Sequence, residues 1–327
     1  MLVRRQLAAA ATVIFATVMP LAMAQPVLNK PVRIVVGFPA GGAADAVARL
    51  LAEQLQGSYA SVVIVDNKPG AGGRMGAQVL KDSAADGSQI LLTPASILTI
   101  YPHVYKKLGY DALADFTPVS SVAKVTFALS ASPAIPTSVK TVNDYVQWAK
   151  ANPKDANFGS PAAGATPHFV GTMLGRAGGV QLNHIPYKGG APLVADLLGG
   201  QVQSGVNVLP EVLPHVPSGK LRILAVSGSK RSRFLPNVPT FAESGFKDVE
   251  ADEYFAVFVP SKTPPETVAK LNEAIRNALK SKRMVDGLEK LSFEVGGESV
   301  ADFKGIVQSE FRRWGPIVKA SGFSSEE

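Results

Sequence analysis

Cysteine is absent from the chain, which excludes disulfides, thiolate metal sites, a cysteine nucleophile and a lipid anchor on a cysteine. Histidine is scarce. The four residues His103, His168, His184 and His215 stand apart, with no H-E-x-x-H or comparable spacing, so no metal site is expected. The G-x-S-x-G elbow of an exported serine hydrolase is missing too, and the histidines have no evident catalytic partner. Aromatics make up only 7% of the chain, and lysine and arginine are scattered, which gives no basic stripe for nucleic acid. Long apolar runs are lacking after the first residues; the one such stretch, Leu7 to Leu21, is short and is broken by Pro20.

Residues 1–24 read as a secretory signal. Arg4 and Arg5 form the charged start, and Ala22-Met23-Ala24 is a small-residue cleavage site. With no further twin-arginine consensus, the general secretory route is expected. The mature chain is therefore a soluble exported protein. The full sequence carries a net charge of +7, two of which leave with the signal, and the remaining excess suits the collection of anionic small molecules as well as it suits a generic basic surface.

At 327 residues and 46% hydrophobic content, the chain is long enough for about two domains. The first half is organised around Arg33 to Asp45. Arg33 to Val36 is an apolar β-branched run, and Val47, Leu50, Leu51 and Leu55 recur at helical spacing. A strand thus gives way to a helix through Phe38-Pro39-Ala40-Gly41-Gly42-Ala43. The unpaired N–H groups of the first helical turn face whatever lies before it, a geometry that suits an anion and is also an ordinary strand-to-helix turn. Asp45, in that turn, complements the helix dipole, braces the turn, or meets an ammonium group on a ligand.

A second strand ends in Gly70-Ala71-Gly72-Gly73-Arg74-Met75-Gly76. Met75 stands where the third glycine of the dinucleotide fingerprint belongs, so no cofactor is expected. A third strand, Ile90 to Thr93, ends near Ser96, whose hydroxyl can face the same crevice. Strands alternating with helices predict mainly parallel sheets covered on both faces. The extended stretch Val125 to Ser130 is the expected crossing to a second lobe, with a hinge there and another near Phe258 on the way back.

The second lobe repeats the pattern. Asn157 to Ser160 is a strand, Pro161 to His168 a small-residue turn containing Gly164 and Ala165, and the residues after it a helix. Thr166 at the helix start is an N-cap, a carboxylate donor, or both. His168 is a packing residue or a ligand donor, and Tyr254 walls the cleft or fills the interior. Two capping boxes, Thr263 to Glu266 and Ser299 to Asp302, open C-terminal helices that are expected to return to the first lobe.

Phe38 to Asp45, Asn67-Lys68-Pro69-Gly70, Asp86-Gly87, Ile185-Pro186-Tyr187-Lys188-Gly189, Asp196 to Val202, Leu235 to Thr240 and Arg313-Trp314 occur in one order along the chain. In these motifs, from about Pro31 to the end, the sequence resembles the Bug proteins, the periplasmic receptors of tripartite tricarboxylate transporters. The resemblance implies an α/β, two-lobed type II periplasmic-binding-protein (Venus flytrap) fold joined by two crossover strands. Lobe 1 is then residues 25–127 and 250–327, and lobe 2 is residues 128–249. It implies a monomer that takes a small carboxylate ligand, does no chemistry on it and presents its closed form to a membrane permease. Ligand contacts are implied for Phe38, Ala40, Gly41, Gly42 and Ala43, for Ser160, Gly164, Ala165, Thr166 and His168, and for Asn207. Asn207 departs from the family, which commonly has aspartate there, and can pair with a carboxylate that aspartate would repel. Asp252-Glu253 also departs and weighs against a dicarboxylate, favouring aromatic acids and amino or pyridine carboxylates. An exported hydrolase and a ligand sensor of the same fold are the alternative functions.

Overall fold

A computed structural model describes residues 28–325. The expected signal at residues 1–24 lies outside the described residues. Strand β1 (Val32–Val36) runs into helix α1 (Ala43–Leu55), β2 (Val63–Asn67) into α2 (Arg74–Lys81), and β3 (Gln89–Pro94) into the short α3 (Ser96–Thr99) and α4 (Tyr101–Val104). β4 (Phe116–Val125) and β5 (Phe127–Ala131) follow, separated by Thr126 alone. Then come α5 (Val142–Ala151), β6 (Asn157–Ser160), α6 (Thr166–Gly178), β7 (Asn183–Pro186), α7 (Gly190–Leu198), β8 (Ser204–Val208), α8 (Leu209–Val212) and β9 (Arg222–Val226). The last elements are β10 (Glu253–Pro260), α9 (Pro265–Lys280), α10 (Lys282–Lys290), β11 (Glu294–Val295) and α11 (Val300–Ser321).

Two sheets organise two lobes. The first has the order β11-β4-β10-β3-β1-β2 and the second β7-β6-β8-β5-β9. The expected parallel pairing runs through β2-β1-β3 and β7-β6-β8, where helices return the chain to the same end of the sheet. β10 and β5 run against the parallel strands, so β10 pairs antiparallel with β3 and β4, β5 pairs antiparallel with β8 and β9, and each sheet is mixed.

Strand alternation builds the layers. Val32, Ile34 and Val36 share a core with Val47, Leu51 and Leu55 of α1 and Leu271 and Ile275 of α9. Val35 points to the other face, among Leu80 of α2, Ile97 of α3 and Phe303 of α11. In the second sheet Phe158 and Val206 meet Phe169 and Leu174 of α6, while Ala128 meets Leu193 and Leu197 of α7. Burying such side chains is worth about 1.5–3 kcal/mol each.

The C-terminal helices return to the first lobe as expected, α9 and α11 against β4 and α10 against α1. Their caps differ. Ser299 accepts the Asp302 N–H and opens α11, but α9 begins after Pro264, and the Thr263 hydroxyl is buried with no partner. Pro264, with φ −54° and ψ 136°, takes the cap position, so Thr263 lies one residue too early to reach the helix.

The two crossings lie side by side. Ser227 donates its N–H to the Phe127 carbonyl and its hydroxyl to the Ala251 carbonyl, and it accepts the Phe127 N–H. The return crossing is therefore at Ala251, not at Phe258. Phe258 sits mid-strand, paired with Leu91 and Pro118, and its all-apolar run marks a strand buried on both faces.

Candidate ligand-binding site

The carboxyl ends of β1, β3, β6 and β8 and the start of β10 bring the candidate turns to the crevice side of the sheets, where open α/β folds bind ligands. The first turn is braced from below. Asp45, the third residue of α1, is buried and accepts the Gly41 N–H at 2.8 Å, Arg49 Nε at 2.9 Å and Asn67 Nδ2 at 3.0 Å. Asn67 also donates to the Phe38 carbonyl at 3.1 Å. Burial opposes ionisation of Asp45, but these bonds and the Arg49 charge outweigh it and hold the carboxyl below its usual range. Gly42 caps α1 with no side-chain bond, so Asp45 is a brace. Ala40, Gly41 and Gly42 are exposed, and the φ of +83° at Gly41 is one that side chains disfavour.

The second turn closes against the first lobe. Phe38, Ala162, Ala165 and Tyr254 pack in one apolar cluster, and the Tyr105 hydroxyl reaches the Ala163 carbonyl at 3.4 Å. Phe169 of α6 meets Trp314 of α11 with ring centroids 5.8 Å apart. The Arg313-Trp314 pair serves this junction. Arg313 donates to the Glu250 carbonyl beside the return crossing, and Trp314 donates to Glu310. Arg74 of the second glycine loop is buried here, with its guanidinium 3.8 Å over the Tyr105 ring.

Between the lobes lies a carboxylate of the chain's own. Glu253 Oε1 accepts the N–H of Ser96 at 3.2 Å and of Tyr254 at 3.0 Å, and Oε2 accepts the Thr166 hydroxyl at 2.7 Å. Ser96, Thr166 and Glu253 are all buried. Thr166 is thus the first helical residue rather than the cap, which is Ala165, and its hydroxyl crosses to the other lobe. Burial pushes the Glu253 carboxyl up, and its hydrogen bonds to Tyr254, Ser96 and Thr166 offset this in part. Burial also pushes the Tyr254 hydroxyl up to about 12, aided by the charges of Asp252, Glu298, Glu310 and Glu253.

A second group surrounds His168. Its ring stacks on His184 with centroids 3.9 Å apart, and Phe158, Phe169 and Phe323 enclose it. The Gly164 N–H donates to His168 Nδ1 at 3.1 Å, which places the ring proton on Nε2. Burial lowers His168 to about 3, with a contribution from His184, and burial lowers His184 to about 4. The Ser160 hydroxyl donates to the Ala162 carbonyl and lies 2.7 Å from His184 Nε2, so the histidine donates to the serine. A general base needs the reverse arrangement.

Asn207 joins neither group. It lies on the α7 face of β8, where its Nδ2 donates to Glu211 Oε2 at 3.3 Å and its buried Oδ1 has no partner. The donor that the sequence offers to a ligand is engaged by the half-buried Glu211, whose carboxyl is pushed up to about 7 by loss of water around it. Glu211 lies so close over Gly190 that an added Cβ there would come within 2.0 Å of it. The sequence reading passes over Glu211 and His184, whose positions carry no spacing signal, and sees Glu253 only as half of an acidic pair. Among the described residues, no group of acidic and histidine side chains is arranged to hold a metal ion, and no helix is long and apolar enough to cross a membrane.

Residues 47–323 match the family model described as the tripartite tricarboxylate transporter family receptor. The chain is 35% identical over 294 residues to protein BugT of Bordetella pertussis, covering 90% of each chain. A solved R. palustris protein with adipate is 34% identical, covers 90% of this chain and 98% of its own, and superimposes with a TM-score of 0.83. MatC from Rhodopseudomonas palustris with bound malate is 26% identical, covers 88% of this chain and 98% of its own, and has a TM-score of 0.79.

Proposed function

The chain belongs to the tripartite tricarboxylate transporter receptor family, and from that premise we propose that it binds a small carboxylate between its lobes and hands the closed form to the membrane permease of such a transporter. It does no chemistry on the ligand, works as a monomer in the periplasm, and reaches that compartment through a cleaved signal at residues 1–24. The observation that carries the reading is the meeting of two turns, one per lobe, at the carboxyl ends of the parallel strands, with buried Ser96 and Thr166 both donating to one carboxylate. The adipate and malate of the two solved relatives support the ligand class. The paired crossings at Thr126 and Ala251 support lobes of 25–127 with 250–327 and 128–249, and a hinge at Ser227. A ligand favours closure only by touching both lobes.

A thermal-shift screen of small carboxylates tests this. A binder at one hundred times its dissociation constant stabilises the folded chain by about 2.7 kcal/mol. A screen in which no carboxylate raises the melting temperature, or in which a hit is turned over, contradicts the reading.

A further inference from the structure

A carboxylate of the protein's own stands between the lobes. An ionised carboxylate has roughly four acceptor positions and no donor. Glu253 has these positions filled by the N–H and side chain of Ser96 and the N–H of Tyr254 from the first lobe and by the Thr166 hydroxyl from the second. Its carboxylate thus stands where two lobes converge their donors, the position a ligand carboxylate would otherwise take. All of these partners are donors, and in the place of Thr166 only another donor can be accepted.

Asp252, Glu298 and Glu310 also act on the neighbouring Tyr254 hydroxyl, while Lys124 and Arg313 face Asp252. Thr166 is the one partner that comes from the second lobe, so on the receptor reading a parting of the lobes would expose that carboxylate to an incoming ligand.

We propose that Glu253 sets the ligand class of this receptor: its carboxylate occupies the interlobe socket, so the ligand carries one carboxylate and, at the end facing β10, a cationic nitrogen or N–H donor. The ligand's own carboxylate then falls to the exposed turn Ala40 to Ala43 and the start of α1. A dicarboxylate meets a like charge at the socket. This inference rests on the receptor reading and narrows it.

Calorimetry with matched ligands tests it. The aliphatic set is 4-aminobutanoate, pentanoate and glutarate, and the aromatic set is 3-(aminomethyl)benzoate, 3-ethylbenzoate and 3-(carboxymethyl)benzoate. In each set the three members share a shape and differ in the charge at the far end. The wild-type protein is expected to bind the nitrogen member of at least one set tighter than the neutral member, and the neutral member tighter than the dicarboxylate. The span from first to last is at least tenfold, or about 1.4 kcal/mol. Glu253→Gln is expected to compress that span below threefold. A wild-type preference for the dicarboxylate, or an unchanged span in Glu253→Gln, overturns the proposal. The wild-type order decides the matter if the variant does not fold. Binding of none of the six counts against the carboxylate-receptor reading itself, and the inference falls with it.

Discussion

Replacing Thr166 by valine keeps the shape of the side chain and deletes the one hydroxyl that reaches from the second lobe to the buried Glu253 carboxylate. The bond is 2.7 Å long and both partners are shielded from water. Hydrogen bonds to charged groups are worth about 1.5–3 kcal/mol, and the geometry places this one in the upper half, so Thr166→Val is expected to cost about 2–3 kcal/mol at pH 8. The cost depends on pH. The folded-state pKa of Glu253 lies above its ordinary 4.5, so the carboxyl takes up its proton in the folded state first as pH falls. A neutral carboxyl needs the hydroxyl less, and the penalty shrinks toward about 1 kcal/mol as pH drops from 8 to 4.5. Thr166→Ser, which keeps the hydroxyl and loses one methyl, is expected to cost about 0.8 kcal/mol at both ends of the range. Urea unfolding of the three proteins across that range measures all of this, with an unchanged m-value as the check on the comparison. A valine penalty below about 0.5 kcal/mol, one that does not vary with pH, or one matched by serine would refute the argument.

Asn207→Asp restores the residue common in the family but sets a second carboxylate against the half-buried Glu211, 3.3 Å away; a loss of about 1–3 kcal/mol in urea unfolding is expected. His168 and His184 titrate far below their ordinary 6.5, so the unfolded chain binds more protons below that value and stability falls with pH through this window. His184→Gln is expected to recover about 1–2 kcal/mol of the stability that the wild type loses between pH 7 and pH 5. Gly41→Asp puts a side chain at a φ of +83° and a carboxylate beside the anion-facing turn; calorimetry is expected to show carboxylate binding abolished, and unchanged affinity contradicts that role for the turn.

Much of the fold was legible because its signals are local. The apolar period of α1, the alternation in β1 and the Ser299 box each follow from a few adjacent residues, and the order of motifs from Phe38 to Trp314 pointed to two lobes. What escaped depends on distant partners. The run Tyr254 to Val259 reads as a crossing until β3 and β4 are seen on either side of it. Glu253 is one carboxylate among 26 acidic residues in the sequence, and only folding brings Ser96, 157 positions away, and Thr166, 87 positions away, to the same group. Asn207 looked available to a ligand because Glu211, four residues on, reaches it only when α8 turns back over β8.

The central claim is that one small carboxylate is held by both lobes at once. A crystal structure of the protein with a carboxylate that raises its melting temperature tests it most directly. The account predicts the ligand in the crevice, touching the turn from Phe38 to Ala43 on one side and the turn from Ser160 to His168 on the other. A ligand seated on one lobe alone, or outside the crevice, would contradict it.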